Sequence, residues 1–122
     1  MNPKISLSMI CYNEAAIIER CLDSAAGAFD ELCLVRSVGT EKPDETKEVA
    51  EAWCFINRKE FKFSEYINTI PNLPHTDNFA AARQLSFNMA TGDWCIWLDC
   101  DDLLDEETCL KLRRCTEQPG IQ

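Results

Sequence analysis

Positive charge is scarce in this chain: 12 lysines and arginines stand against 21 aspartates and glutamates, a formal net charge of −9. That deficit argues against nucleic acid or an anionic membrane surface as the main partner, because both are held through counter-charge. It does not exclude phosphate ligands, since one metal ion or one placed arginine reverses a local field. No apolar run approaches the roughly 20 residues that span a bilayer. Met1-Asn2-Pro3-Lys4 leads straight into a strand-like segment without an apolar signal core, so the expected location is cytoplasmic. Only four glycines occur, and none lies in Cys11-Tyr12-Asn13-Glu14, where a Gly-rich phosphate loop would follow a first strand. The one histidine, His75, sits between Pro74 and Thr76 and reads as a solvated loop residue. Cysteine is plentiful, with eight residues, but no CxxC pair supplies the usual zinc-site spacing. Free buried thiols are expected rather than a disulfide framework. Cys11, Cys21, Cys33 and Cys95 lie in apolar stretches and should be buried; Cys100, between two acids, should be exposed.

The length of 122 residues fits one domain with a core of its own. Ile5 to Cys11 reads as a first strand entering a core. Asn13 is placed to cap the next helix, whose apolar face is Ile17, Ile18, Cys21, Leu22 and Ala25. Glu31 to Val35 is a second strand. Asp44 is placed to cap a second helix, with Val49, Ala50 and Trp53 facing inward. Cys54-Phe55-Ile56 reads as a short third strand, and residues 57–76 as a long loop. Asp77 is placed to cap a third helix with Ala81, Ala82, Leu85 and Met89 inward, closed by Gly92. Trp94 to Leu98 reads as a strand buried on both faces. Asp105 opens a last helix, which Pro119-Gly120 stops. Trp53, Trp94 and Trp97 are expected to pack in the core or on the sheet. The order β-α-β-α-β-loop-α-β-α implies an α/β fold with a mostly parallel sheet flanked by helices.

The most telling stretch is Trp94-Cys95-Ile96-Trp97-Leu98-Asp99-Cys100-Asp101-Asp102, an apolar run that ends in carboxylates. Open α/β sheets bind ligands beyond the C-terminal ends of their strands. Like charges gathered there need a cation or a raised pKa, and oxygen-only ligands suit Mg²⁺ or Mn²⁺. The same acids could instead cap the following helix. Cys11-Tyr12-Asn13-Glu14 and Arg36 to Glu41 follow the first and second strands, so a parallel sheet brings all three segments to one edge.

With these pieces in order, the chain resembles the family 2 glycosyltransferases of GT-A fold. The resemblance rests on Ser8-Met9-Ile10-Cys11-Tyr12-Asn13-Glu14 and Ile18-Glu19-Arg20-Cys21-Leu22. It continues through Asn78-Phe79-Ala80-Ala81-Ala82-Arg83 and Ala90-Thr91-Gly92-Asp93-Trp94, and ends in the DxD-like Trp97-Leu98-Asp99-Cys100-Asp101-Asp102. It implies a Rossmann-like half domain holding the donor site of a transferase. Such an enzyme moves a sugar from a nucleotide-diphosphate sugar to an acceptor hydroxyl, with inversion and with a divalent metal, Mg²⁺ or Mn²⁺. Cys11, Tyr12, Asn13, Glu14, Arg36, Arg83 and Asp99 are then the nucleotide-sugar-binding candidates. Tyr12 stacks on the base, Glu14 lies near the nucleoside or caps the helix, and Arg83 faces the nucleotide. Asp99 helps hold ribose or metal, Asp101 is the direct metal ligand, and Asp102 binds the metal or stands behind it.

Two departures accompany the resemblance. Arg36 stands where the family has a base-binding Asp, which puts nucleobase choice in doubt; it could contact phosphate or pair with Glu41 or Asp99. The family's domain is about twice as long, so the acceptor half and its general base are missing and the isolated chain should bind donor weakly and turn over little. The alternative is a non-catalytic nucleotide-binding or assembly module, a homo-oligomer paired through an open sheet edge. A nucleotidyltransferase is disfavoured by the missing Gly-rich loop.

Overall fold

The computed structural model describes residues 3–70 and 76–117. His75 and the Pro119-Gly120 stop lie outside them. The elements are β1 (Ile5–Cys11), α1 (Ile18–Ala25) with a 3-10 turn behind it, β2 (Glu31–Val38), α2 (Thr46–Ile56), β3 (Glu60–Ile67), α3 (Phe79–Met89), β4 (Trp94–Trp97) and α4 (Glu106–Glu117). The strands form one sheet in the order β3-β2-β1-β4, and every pairing is parallel. The expected parallel, helix-flanked sheet is what the chain builds.

β1 is buried along its whole length. Its alternate residues Ile5, Leu7, Met9 and Cys11 meet Ile18, Cys21 and Leu22 of α1 and Trp53 and Cys54 of α2. On the opposite face Ile10 and Val35 meet Ala82 of α3. The α4 helix joins the first layer, where Arg113 donates to the Gly27 carbonyl and to Asp30.

Several local expectations change. Cys54, Phe55 and Ile56 are the last turn of α2, not a strand: Cys54 is buried with Trp53, whereas Phe55 and Ile56 are exposed, the one-sided pattern of a helix. Arg58, at φ 59°, then turns the chain back, and the third strand is Glu60–Ile67. Its alternation of aromatics with charges marks an edge strand with one packed face; Phe61 and Phe63 pack on the core. Asn13 does not cap α1, which has no side-chain cap. Asn78, not Asp77, caps α3 by accepting from the Ala81 amide at 3.1 Å. Asp105 opens α4 as expected, accepting from the Thr108 amide at 2.7 Å. β4 is not buried on both faces: it is an edge strand whose Trp94 and Ile96 meet the core and whose Cys95 and Trp97 are exposed.

At the N-terminal edge of the sheet a carboxylate is sealed from water. Glu31 is 0% exposed. It accepts from Ser6 Oγ at 2.6 Å, Lys62 Nζ at 2.7 Å, and the Thr91 amide and hydroxyl at 2.9 and 2.8 Å. Lys4 Nζ lies 3.4 Å away. Burial alone would push this carboxyl up, but the donors from Lys62, Ser6 and Thr91 outweigh it and hold it well below the usual carboxylate range. Beside it the Gly92 amide donates to Ser6 Oγ at 2.9 Å. A Cβ on Gly92 would come within 2.6 Å of that oxygen and 2.8 Å of the Ser6 nitrogen, so any other residue pushes β4 away from β1.

A group whose folded pKa is depressed contributes stability that is present above its unfolded pKa and lost as pH falls. Urea midpoints should therefore be flat at neutral pH and drop as pH falls below about 4.5, the ordinary value for this glutamate. Glu31→Gln should flatten that acid limb and lower the neutral-pH plateau by about 2 kcal/mol, since it unpairs Lys62, whereas Lys4 keeps Glu60. An unchanged acid limb in the variant would show that other carboxylates set it.

Candidate functional site

The parallel strands end on one edge of the sheet, and an open cleft of roughly 210 Å³ lies there between the loop after β1, the turn after β4 and the start of α3. Its walls are Ile10, Cys11, Tyr12 and Glu14 from the first strand and loop, Asp99, Cys100 and Asp101 from the turn after β4, and Thr76 and Phe79 from the start of α3. Of the expected residues, Cys11, Tyr12, Glu14, Asp99 and Asp101 thus share one cavity.

The loop after β1 is fixed by short-range bonds. Glu14 accepts from the Tyr12 amide at 3.2 Å, and its carbonyl accepts from the Ile17 and Ile18 amides to start the first helical turn. Asn13 reaches across to the loop after β2, accepting from the Asp44 amide at 3.0 Å and donating to the Lys42 carbonyl at 3.3 Å. In return Asp44 accepts from the Ala15 amide at 3.2 Å, and Thr46 Oγ1 accepts from the Glu14 amide at 2.9 Å. Asn13 therefore ties two loops together at the rim. Burial opposes the charge on Asp44, but its bonds from Thr46 and Ala15 win and hold its pKa below the ordinary value. The Tyr12 ring lines the cleft, while its buried hydroxyl has no partner among the described residues.

Arg36 turns away from the cleft. Its Nη2 and Nε donate to Glu65 at 2.6 and 3.1 Å, and its Cζ stands 5.1 Å from the Phe63 ring centre. Its partner is Glu65 of β3, not Glu41 or Asp99. That partner was hidden from the sequence because β3 reads as loop.

Asp99, Asp101 and Asp102 are all exposed, with carboxylate oxygens within 4.8 Å of one another. The turn is closed on itself: the Asp99 amide donates to Asp102 Oδ2 at 2.8 Å, and the Asp102 amide to the Asp99 carbonyl at 3.0 Å. Arg83 comes from α3, with Nη2 3.9 Å from Asp99 Oδ1, Nη1 3.5 Å from Ser8 Oγ and the Trp97 ring 5.3 Å from Cζ. Burial lowers the Arg83 pKa, opposed by the charge of Asp99. An all-oxygen set of this kind, open to solvent and to the cleft, has the chemistry of a site for a hard divalent cation.

Below the acids the floor is made of thiols. Cys100 is buried, contrary to the expectation from its acidic neighbours, and its Sγ donates to the Ile10 carbonyl at 3.8 Å. Cys95, expected inside, is exposed on the open face of β4. Regular alternation explains both: Trp94, Ile96, Leu98 and Cys100 share the packed face, while Cys95, Trp97 and Asp99 share the open one. Burial drives the Cys11 and Cys100 thiols far above their ordinary pKa. Burial, reinforced by Asp102, Asp101 and Asp99, pushes Cys21 up to about 11. These thiols stay neutral and unreactive.

Sequence reasoning missed the far wall. Asp77 accepts from Tyr66 Oη at 2.7 Å, Thr69 Oγ1 at 2.8 Å and the Ile70 amide at 2.8 Å, so it clasps the end of β3 to the start of α3. The Tyr66 bond leads the effects that hold its carboxyl down at about 2. Thr76 is bonded to Ser37 of β2. The available signal was the Tyr66…Asp77 pair itself, which means little until Tyr66 is known to end a strand.

The description "Glycosyl transferase family 2" belongs to a family model that matches residues 6–120. A TPR repeat-containing protein of Synechococcus elongatus is 32% identical over 95% of this chain and 25% of its own length. The prophage-derived glycosyltransferase SunS of Bacillus subtilis is 29% identical over 86% of this chain and 22% of its own. The chain thus spans about a quarter of the length of the curated relatives it matches. Among solved structures, S. aureus TarS 1–349 superposes with TM-score 0.65 at 23% identity, over 88% of this chain and 30% of TarS. The same protein in complex with UDP superposes with TM-score 0.61 at 22% identity over the same shares. These two establish likeness of fold.

The burial of the thiols has a direct readout. At pH 8 a soluble thiol reagent should modify Cys95 and Cys115 rapidly and the other six cysteines only as the chain unfolds, since those two alone of the eight are exposed. Rapid loss of a third thiol would show that the floor of the cleft opens.

Proposed function

Because the chain belongs to glycosyl transferase family 2, whose model matches it from residue 6 to 120, we propose that it forms the donor-binding portion of a sugar-transferring enzyme. The donor is a nucleotide-diphosphate sugar, and the sugar passes to an acceptor hydroxyl. The observation that carries this reading is the convergence of Asp99, Asp101 and Asp102 with the Tyr12 ring on one cleft, with Arg83 3.9 Å from Asp99. TarS, which shares the fold, has been solved in complex with UDP, and that supports a nucleotide as the kind of ligand.

Each residue has a part in the reading. The Tyr12 ring takes a face of the nucleobase, a contact tolerant of base identity. Glu14 and Asn13 keep that ring in place through the bonds that close the loop. Arg83 faces the diphosphate, which its planar fork of donors suits. Asp101, with Asp99 and Asp102, would hold Mg²⁺ or Mn²⁺; bound there, the ion supplies positive charge to the departing diphosphate. The neutral thiols and Ile10 below the acids exclude water from that side of the cleft. Inverting transfer requires a carboxylate base on the acceptor hydroxyl, and none of the described residues is assigned that role. Arg36, committed to Glu65, is not offered to the nucleotide; the base edge is left to Tyr12 and its neighbours, without a fixed preference for uridine.

Calorimetric titration with UDP, and with GDP beside it, tests this. In the presence of Mn²⁺ the chain should bind nucleoside diphosphate, EDTA should abolish the heat, and Asp101→Ala should weaken binding at least about tenfold. A folded wild-type chain that binds neither nucleotide, or binds equally well without metal and with Asp101→Ala, would overturn the reading.

A further inference from the structure

Trp97 lies on β4 with its ring 62% exposed in this chain. It does not serve the core, since the residues of β4 that pack there are Trp94 and Ile96. What the ring carries is a cation: Arg83 Cζ stands 5.3 Å from its centre, within the range of a cation–π contact. Trp97 is paired in register with Ser8 of β1, and Ser8 Oγ lies 3.5 Å from Arg83 Nη1. The indole and the hydroxyl thus form a seat on adjacent strands for the guanidinium of Arg83, whose side chain is only 19% exposed. From that seat Nη2 faces Asp99 Oδ1 at 3.9 Å, too long for a hydrogen bond. Arg83 therefore lies beside the acidic turn without being consumed by it, and keeps donors for an anion arriving there. A long arginine on a helix would otherwise sample many rotamers, and restricting it in advance lowers the cost of ligand binding.

We propose that Trp97 is a positioning residue of the donor site, holding the Arg83 guanidinium at the edge of the Asp99–Asp102 turn where a diphosphate would meet it. The proposal rests on the reading of Arg83 as the diphosphate-facing group, and it assigns Trp97 a role through Arg83 rather than contact with the sugar.

Two measurements separate this proposal from the reading beneath it. The first needs no ligand: the Arg83 Nε–H resonance should be shifted by the ring in the wild-type chain, stay shifted in Trp97→Phe, and fall to a mobile-arginine position in Trp97→Ala. The second is UDP affinity with Mn²⁺. Trp97→Ala and Arg83→Ala should each weaken it about tenfold, Trp97→Phe by no more than about threefold, and the double variant no further than Arg83→Ala alone. Circular dichroism confirms the fold of each. An Arg83 resonance unmoved by Trp97→Ala, wild-type affinity in that variant, or losses that multiply in the double variant would each overturn the proposal. A Trp97-dependent Arg83 signal in a wild-type chain that binds no UDP would sink the donor reading and leave the seat itself supported.

Discussion

A single carboxylate closed off from water sets the frame of this molecule. Glu31 draws together β1 through Ser6, β3 through Lys62 and the turn before β4 through Thr91. Unpaired, such a charge would cost several kcal/mol; its donors make it a bolt whose geometry specifies register. Gly92, pressed against Ser6 with no room for a Cβ, adds a steric stop at the same place. Together they fix Ile5 opposite Trp94 and Ser8 opposite Trp97. Because side chains alternate along a strand, a slip of one residue would invert the faces of β4. Trp97 would leave Arg83, and Asp99 would emerge on the wrong side. The chemistry at one edge of the sheet depends on electrostatics at the other.

Above that frame the cleft is assembled from loops that hold one another. Asn13 accepts from the Asp44 amide and Asp44 from the Ala15 amide across the first two loops, the Asp99–Asp102 turn closes on its own amides, and Asp77 gathers the far wall. Positive charge is rationed. Arg36 is spent on Glu65 and Arg113 on Asp30, while Arg83 stands beside the acidic turn. An anion entering such a field would be repelled by the carboxylates unless a cation accompanied it, which is why donor and metal belong to one proposal.

The sequence made some parts plain and hid others for physical reasons. β1 was legible because its alternation of apolar residues with Ser6 and Ser8 runs into the apolar Met9-Ile10-Cys11, and the Asp99–Asp102 turn because clustered acids after the unbroken apolar run 94–98 are conspicuous. β3 was not: Glu60–Ile67 alternates with charges because it lies at an edge, and its Lys62 and Glu65 serve Glu31 and Arg36, partners more than two dozen residues away. The end of α2 misled in the opposite sense, since Phe55 and Ile56 are apolar but exposed. Cys100 and Cys95 were misjudged from their neighbours' polarity, whereas the alternation that begins in β4 puts Cys100 on the packed face with Trp94 and Ile96 and Cys95 on the open one. Of the cleft, the carboxylates, Tyr12 and Arg83 could be named in advance; Phe79, Thr76 and the Asp77 clasp required the strand before them to be recognised first.

The parallel register has a consequence for how the molecule comes into being. Lys4 and Asp93, bonded across β1 and β4, are 89 residues apart, whereas β1, β2 and β3 are neighbours in sequence and in the sheet. Closing so long a loop is entropically the latest and slowest pairing available. On the ribosome the first three strands can associate while β4 is still being made, which leaves the free edge of β1 open to any passing strand. The short β4, once released, covers that edge and in the same movement delivers the acidic turn to the cleft. Maturation of the site and protection against misassembly are thus a single event.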